Sequence, residues 1–210
     1  MVIGFLLVTT FSSCTKDNKP SVTSHIVEDC QDDAGFQFTV FGEESAAQTS
    51  DGLLQLFCVS DNTGSGLMHY SQARYDLNGL GISPENSERI CLKIKFENFV
   101  AGANLFSNSG SELHFQVGRS KIQLAPTSNL FLGNDETLFI CFNPTSEKLS
   151  ATRQNEAGEE TDISENFFLE QQEQENDHLY LGVWAGSGGF GFGSIIMEVE
   201  NFEVYSLLSD

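Results

Sequence analysis

Three glutamates near the end of the chain, in Glu198-Val-Glu-Asn-Phe-Glu203, are spaced for carboxylate chemistry. Retaining hydrolysis of a glycosidic bond needs a nucleophile and an acid/base about 5–5.5 Å apart on one face. On a regular strand Glu198 and Glu200 share a face and Glu203 does not. A one-residue bulge near Asn201 would return Glu203 to their side. The competing arrangement is a solvated strand whose carboxylates face water. It is the expected one for Glu198, Glu200 and Glu203.

A second chemistry-bearing set is aromatic. Trp184, the only tryptophan, shares a strand face with Tyr180 and Gly182, opposite Leu179, Leu181 and Val183. An aromatic ring with polar neighbours is what the apolar side of a sugar stacks on. Tyr70, Tyr75 and the stretch Asp61-Asn-Thr-Gly-Ser-Gly66 could assist. The commoner arrangement has such a tryptophan filling space between two sheets. Gly186-Ser-Gly-Gly-Phe-Gly191 matches G-x-G-x-x-G, but a dinucleotide site requires a helix next. The pattern from Gly193 to Val199 is a strand, so a turn is expected. His25, His69, His114 and His178 show no metal spacing, and His114 is expected to be an ordinary strand residue. No serine stands in a G-x-S-x-G elbow.

The elements that must position these residues begin after Cys14. The segment Met1-Val-Ile-Gly-Phe-Leu-Leu-Val-Thr-Thr-Phe-Ser-Ser-Cys14 is too short for a spanning helix and has the length of a signal-peptide apolar region. Ser12-Ser13-Cys14 resembles the lipobox of bacterial lipoproteins, with Phe11 where leucine is usual. The resemblance implies a signal peptide over 1–13 and diacylation of Cys14. Two acyl chains suffice for stable anchoring. No Lys or Arg precedes Lys16, so a basic segment upstream of Met1 is expected. Residues 14–25 are polar, carry Pro20, and read as a tether. Thr15 after the cysteine resembles outer-membrane sorting, with the domain periplasmic or at the cell surface.

Thirty acidic against ten basic residues give a net charge of −20. That excludes a basic footprint for nucleic acid, and membrane contact is expected only through the lipid. Carboxylate-rich loops would suit calcium, yet no ordered D-x-[DN]-x-[DN]-G ladder occurs, so solubility is the favoured role and no cofactor is expected. Cys30, Cys58, Cys91 and Cys141 allow three disulfide pairings, and no C-x-x-C suggests zinc.

Period-two alternation dominates residues 26–210, which read as one β-sandwich domain. Strands are expected at Phe36–Phe41, Leu54–Val59, Ile90–Phe96, Glu112–Val117, Lys121–Leu124, Leu138–Phe142, Leu149–Arg153, Leu179–Trp184 and Ile195–Val199. In Ile90–Phe96 the apolar face is opposed by Cys91, Lys93 and Lys95. Turns fall at sites such as Asp51-Gly52, Asn143-Pro144 and Ala157-Gly158. The acidic, Gln-rich stretch Ile163–His178 reads as a solvated loop or a short helix from Ser164. Eighteen phenylalanines supply bulk for packing two sheets.

Three segments resemble concanavalin A-like lectin/glucanase sandwiches, the laminin-G-like group included. Phe142-Asn-Pro-Thr-Ser-Glu-Lys-Leu149 is similar to their strand–turn–strand F-N-x-x-T/S-x-x-L. Leu179-Tyr-Leu-Gly182 resembles the penultimate L-x-L-G. Val199-Glu-Asn-Phe-Glu-Val-Tyr205 resembles the closing D-N-F-x-V-Y strand, which returns beside the first. The resemblance covers roughly 26–208 and implies an antiparallel jelly-roll, often with one concave glycan-binding face. It implies first a lipid-anchored binding module for a glycan or a cell-surface partner, with Trp184, Tyr180 and Tyr70 at the ligand. A glycoside hydrolase using Glu198 and Glu203 is second, because their motif also resembles E-x-D-x-x-E of laminarinase-like hydrolases. That motif carries Asp at the middle position and stands mid-chain. A structural or adhesion protein binding another protein is third.

Overall fold

The computed structural model describes residues 22–32, 35–43, 45–59, 68–78, 81–100, 102–104, 109–125, 128, 130–133, 136–186 and 194–208. Sixteen strands occupy them: β1 (Val22–Glu28), β2 (Phe36–Phe41), β3 (Ala46–Ser50), β4 (Leu53–Val59), β5 (Met68–Asp76), β6 (Arg89–Val100), β7 (Gly102–Asn104) and β8 (Ser109–Val117). Then follow β9 (Ser120–Leu124), β10 (Phe131–Leu132), β11 (Glu136–Phe142), β12 (Leu149–Gln154), β13 (Glu160–Asp162), β14 (Phe167–Gln171), β15 (His178–Gly186) and β16 (Ser194–Leu207). Helical structure among these residues is limited to two three-residue 3₁₀ turns, Pro84–Asn86 and Ser164–Asn166. Every expected strand is present, several of them longer than the alternating run that announced them.

Among the described residues the strands form two antiparallel sheets. The larger has nine strands in the order β13-β12-β11-β6-β16-β4-β3, with β1 also on β16 and β10 on β6. The smaller has seven, β14-β9-β8-β15-β5-β2, with β7 on β8. The fold is an all-β, two-sheet antiparallel jelly-roll sandwich. β16 returns beside β1, pairing Tyr205 with His25. β1 thus takes in Val22 to His25, residues expected in the tether.

Alternation sends one face of each strand into the space between the sheets. Leu54 and Leu56, Ile90 through Phe96 at every second position, Leu138, Ile140 and Phe142 come from the larger sheet. Leu113, Phe115, Ile122, Leu179, Leu181 and Val183 meet them from the smaller. Aromatic rings cross the gap edge-on: Phe115 to Phe142 at 6.1 Å and Tyr75 to Phe202 at 4.9 Å. Tyr75, a possible ligand contact by sequence, therefore belongs to the core. Burial, and then the nearby Glu28, push its phenol up to about 12.

Asn143 builds the turn between β11 and β12, its Oδ1 accepting from the backbone N–H of Thr145 and Ser146. The segment 163–178 departs from the expected loop. After the 3₁₀ turn, Phe167 and Leu169 alternate inward and make β14 an edge strand on β9. Glu170 lies on its outward face beside Phe168. Of the three disulfide pairings, the structure contains Cys91–Cys141. These residues sit directly opposite each other on β6 and β11, on the outer face with Lys93 and Lys95. Cys30 and Cys58 are free thiols packed in the core.

Candidate functional site: the outer face of the seven-stranded sheet

Register on the smaller sheet lines up its outward side chains in rows. Phe41, Tyr70, Trp184 and Gly110 form the first, contributed by β2, β5, β15 and β8. Thr39, Gln72, Gly182 and Glu112 form the second. Gln37, Arg74, Tyr180, His114 and Gln123 form the third. His178, Gln116 and Lys121 follow in the fourth. Successive rows are about 7 Å apart, two residues along each strand.

The first row is aromatic. Phe41 stacks on Tyr70 at 5.7 Å, and Phe41 keeps 45% of its surface exposed. Trp184 is half-buried beside Tyr70, on the face opposite buried Val183 and Ala185. The inter-sheet position weighed for it is thereby corrected: strand parity gives that space to Leu179, Leu181 and Val183. Gly110, next in the row, is buried and pairs on its other side with Ala103 of β7.

Behind this row the face is polar and preorganised. Tyr180 lies across Gly182, where an added Cβ would come within 3.1 Å of its hydroxyl. Its ring stacks on His114 at 4.8 Å, and its hydroxyl hydrogen-bonds the Glu112 carboxylate. Burial, and then Glu112, raise the phenol well above its ordinary value, so Tyr180 remains a donor. His114 is lowered to about 4 by burial, then by Lys121 and His178. His178 is lowered to about 4 by burial, then by Arg74 and Lys121, against Asp76 and Asp177. Both imidazoles are neutral at pH 7. Arg74 donates from Nη2 to Asn176 Oδ1 at 3.1 Å.

Tyr70, Tyr180 and Trp184 thus share one face, as strand parity had suggested for the last two. Gln72, Arg74, Glu112, His114 and His178 were missed. His114 and His178 lie far apart in sequence and meet only because β8 and β15 are neighbours. The available signal was alternation itself: Tyr70, Gln72 and Arg74 share one parity, as do Glu112, His114 and Gln116.

The glutamate cluster lies on the other sheet. The register of β16 on β6 slips between Val199 and Asn201, so the expected bulge is present, and Glu198 and Glu203 face outward together. Each carboxylate is occupied. Gln55 donates to Glu198 at 3.0 Å, Lys95 pairs with Glu200 at 2.7 Å, and Lys93 pairs with Glu203 at 2.5 Å. The aromatic row is on the opposite side of the sandwich.

A strand, β16, follows the glycine-rich segment, so the helix a dinucleotide site needs is not there. Residues 187–193, the stretch 61–66 and Cys14 lie outside the described residues. His69 is buried at a strand end, its ring nitrogen 2.9 Å from the Val59 carbonyl. Among the described residues no three His, Cys, Asp or Glu side chains gather as a metal site. A cleft of about 690 Å³ opens at one end of the sandwich, between Pro84, Arg119, Thr145 and Glu175.

Two layers of antiparallel strands with this closing-strand return form a jelly-roll sandwich, a fold shared with solved legume lectins. A winged bean acidic lectin, solved with methyl-α-D-galactose, superposes with a TM-score of 0.51 at 9% identity, covering 90% of this chain and 100% of that one. Peanut lectin gives 0.49 at 10% identity, over 90% of this chain and all of the other. At such identity the likeness is one of fold. No family model matches the sequence, and no curated protein matches it either.

Proposed function

We propose that this chain is a glycan-binding module, held at the cell envelope by lipid on Cys14, that takes its saccharide on the outer face of the seven-stranded sheet. The observation that carries this reading is the aromatic row Phe41–Tyr70–Trp184, backed by Gln72, Tyr180 and Glu112. Aromatic faces receive the C–H side of a sugar ring, and fixed polar groups select its hydroxyls. Solvent-facing aromatics held by stacking lose little entropy on binding. The lectin fold supports the same reading, since the winged bean protein is described with a bound galactoside. The lipid anchor rests on the lipobox-like Ser12-Ser13-Cys14.

A glycan array run with the wild type and Trp184→Ala tests it. Loss of an aromatic anchor is expected to cost about 2 kcal/mol, roughly thirtyfold in affinity. Unchanged binding by the variant would remove Trp184 and this face from the function.

A further inference from the structure

We propose that the cleft between β10, the start of β11 and the end of β12 is a second saccharide site, which takes a neutral sugar against the ring of Phe131. It is built from other residues than the aromatic row and goes beyond the reading above.

The cleft forms where two core strands run out of apolar residues. Leu138 of β11 and Ala151 of β12 are buried on the inner face. Glu136 and Arg153 continue that face past the rim of the core, where both are half-buried. Arg153 stands opposite Leu138, so Glu136 is its diagonal neighbour, about 7 Å away. No ion pair joins the two among the described residues. Glu136 is held instead by Gly133, whose N–H donates to its Oε2 at 3.0 Å, while the Glu136 N–H donates to the Gly133 carbonyl at 3.0 Å. On the far wall Asn155 closes a tight turn. Its Oδ1 accepts the Glu159 N–H and its Nδ2 donates to the Glu159 carboxylate, each at 2.9 Å.

One aromatic ring stands beside this floor. Phe131 is 59% exposed, the most of any large apolar side chain among the described residues, whereas Leu132 next to it is buried. A Cβ at Gly133 would meet Phe131 Cε1 at 3.1 Å, so the ring rests against glycine backbone. Phe131, Glu136 and Arg153 line one cleft of about 540 Å³, a size that small-molecule sites take. Their chemistry selects the ligand. An apolar molecule would strip water from Arg153 and Glu136 without replacing their hydrogen bonds. An anion would meet Glu136 and Glu156, which both line the cleft, and a cation would meet Arg153. A neutral saccharide satisfies all three groups. It offers a C–H face to Phe131, hydroxyl oxygens to the guanidinium donors, and hydroxyl hydrogens to the Glu136 carboxylate.

Phe131 pairs with Val100 at the end of β6, and β7, which follows at once, pairs Ala103 with Gly110 beside Trp184. The two sites therefore lie at one end of the sandwich, on different sheets, and one chain can hold two saccharides together.

A glycan array of neutral and acidic saccharides tests this. It is read with the wild type, Trp184→Ala, Phe131→Ala and Arg153→Gln, with melting temperature as the check on folding. The expected result is a neutral saccharide that Trp184→Ala still binds, and whose affinity falls at least tenfold in Phe131→Ala and severalfold in Arg153→Gln. Arg153→Gln carries the test if Phe131→Ala is unstable. If no saccharide responds to either substitution, or if only acidic ones do, the inference is overturned, and losses in Trp184→Ala leave the outer-face reading standing. Losses in Phe131→Ala and Arg153→Gln without any in Trp184→Ala support the cleft and overturn the outer-face reading. An array with no bound saccharide overturns both.

Discussion

Tyr180 shows how one side chain is fixed by three neighbours of different chemistry. Gly182 gives it room to lie flat, His114 supplies a stacking face, and Glu112 holds its hydroxyl. Gly182→Ala would place a methyl group 3.1 Å from that hydroxyl, and the ring must then lift away from Glu112. Glycan affinity is expected to fall severalfold, with the melting temperature nearly unchanged. Equal affinity would show that Tyr180 does not need its present pose. His114 and His178 also make stability depend on pH. Both hold folded values near 4 against an ordinary 6.5, so the unfolded chain binds more protons between these limits. Their contribution is complete above about pH 6.5 and is lost as pH falls through 4. His114→Gln/His178→Gln should flatten the decline of melting temperature between pH 6.5 and 4. Parallel curves for variant and wild type would contradict the assignment.

At the scale of elements, the legible strands were those with a clean apolar face. Ile90, Leu92, Ile94 and Phe96 opposed by Cys91, Lys93 and Lys95 are an amphipathic strand that burial must orient one way, and β6 has that orientation. β14 was hidden because it has no clean alternation: Phe167 and Leu169 mark its inner face, but Phe168 stands with Glu170 on the outer one. β3 and β13 are short edge pieces without a distinct apolar period. The bulge in β16 was readable from the placing of Glu203, but the lysine partners were not, since they depend on register with β6. Pairing of Cys91 with Cys141 likewise required the β6–β11 register. That bond closes a sequence separation of 50, for which loop entropy gives about 4 kcal/mol. Cys91→Ser/Cys141→Ser should therefore lower the melting temperature strongly, and reductant should do the same to the wild type alone. Insensitivity of the wild type to reductant would argue against the bond.

For the whole molecule, composition carried the most exclusions and the least positive chemistry. A charge of −20 gave the expectation that nucleic acid is not a partner, yet it said nothing of which side chains meet when β5, β15, β8 and β9 are laid side by side. The sandwich itself was legible from alternation, turns and the closing strand. The candidate site was legible in part, through Trp184, Tyr180 and Tyr70, because parity along one strand is a local property. Its polar half was not, because neighbours across strands are a property of topology. The two outer faces differ in chemistry: ion pairs and a disulfide lie on that of the larger sheet, while the smaller carries exposed Phe41 with half-buried Tyr70 and Trp184. The proposed lipid anchor is tested at this scale too. Cys14→Ser is expected to move the protein from the membrane fraction to the soluble one and to abolish palmitate labelling.

Trp184 is the only tryptophan, so its emission reports on the proposed site without labels. Titration with a saccharide that the glycan array selects should give a saturable change in that emission. Saccharide binding that leaves the emission of Trp184 unchanged would contradict a saccharide on the outer face of the seven-stranded sheet.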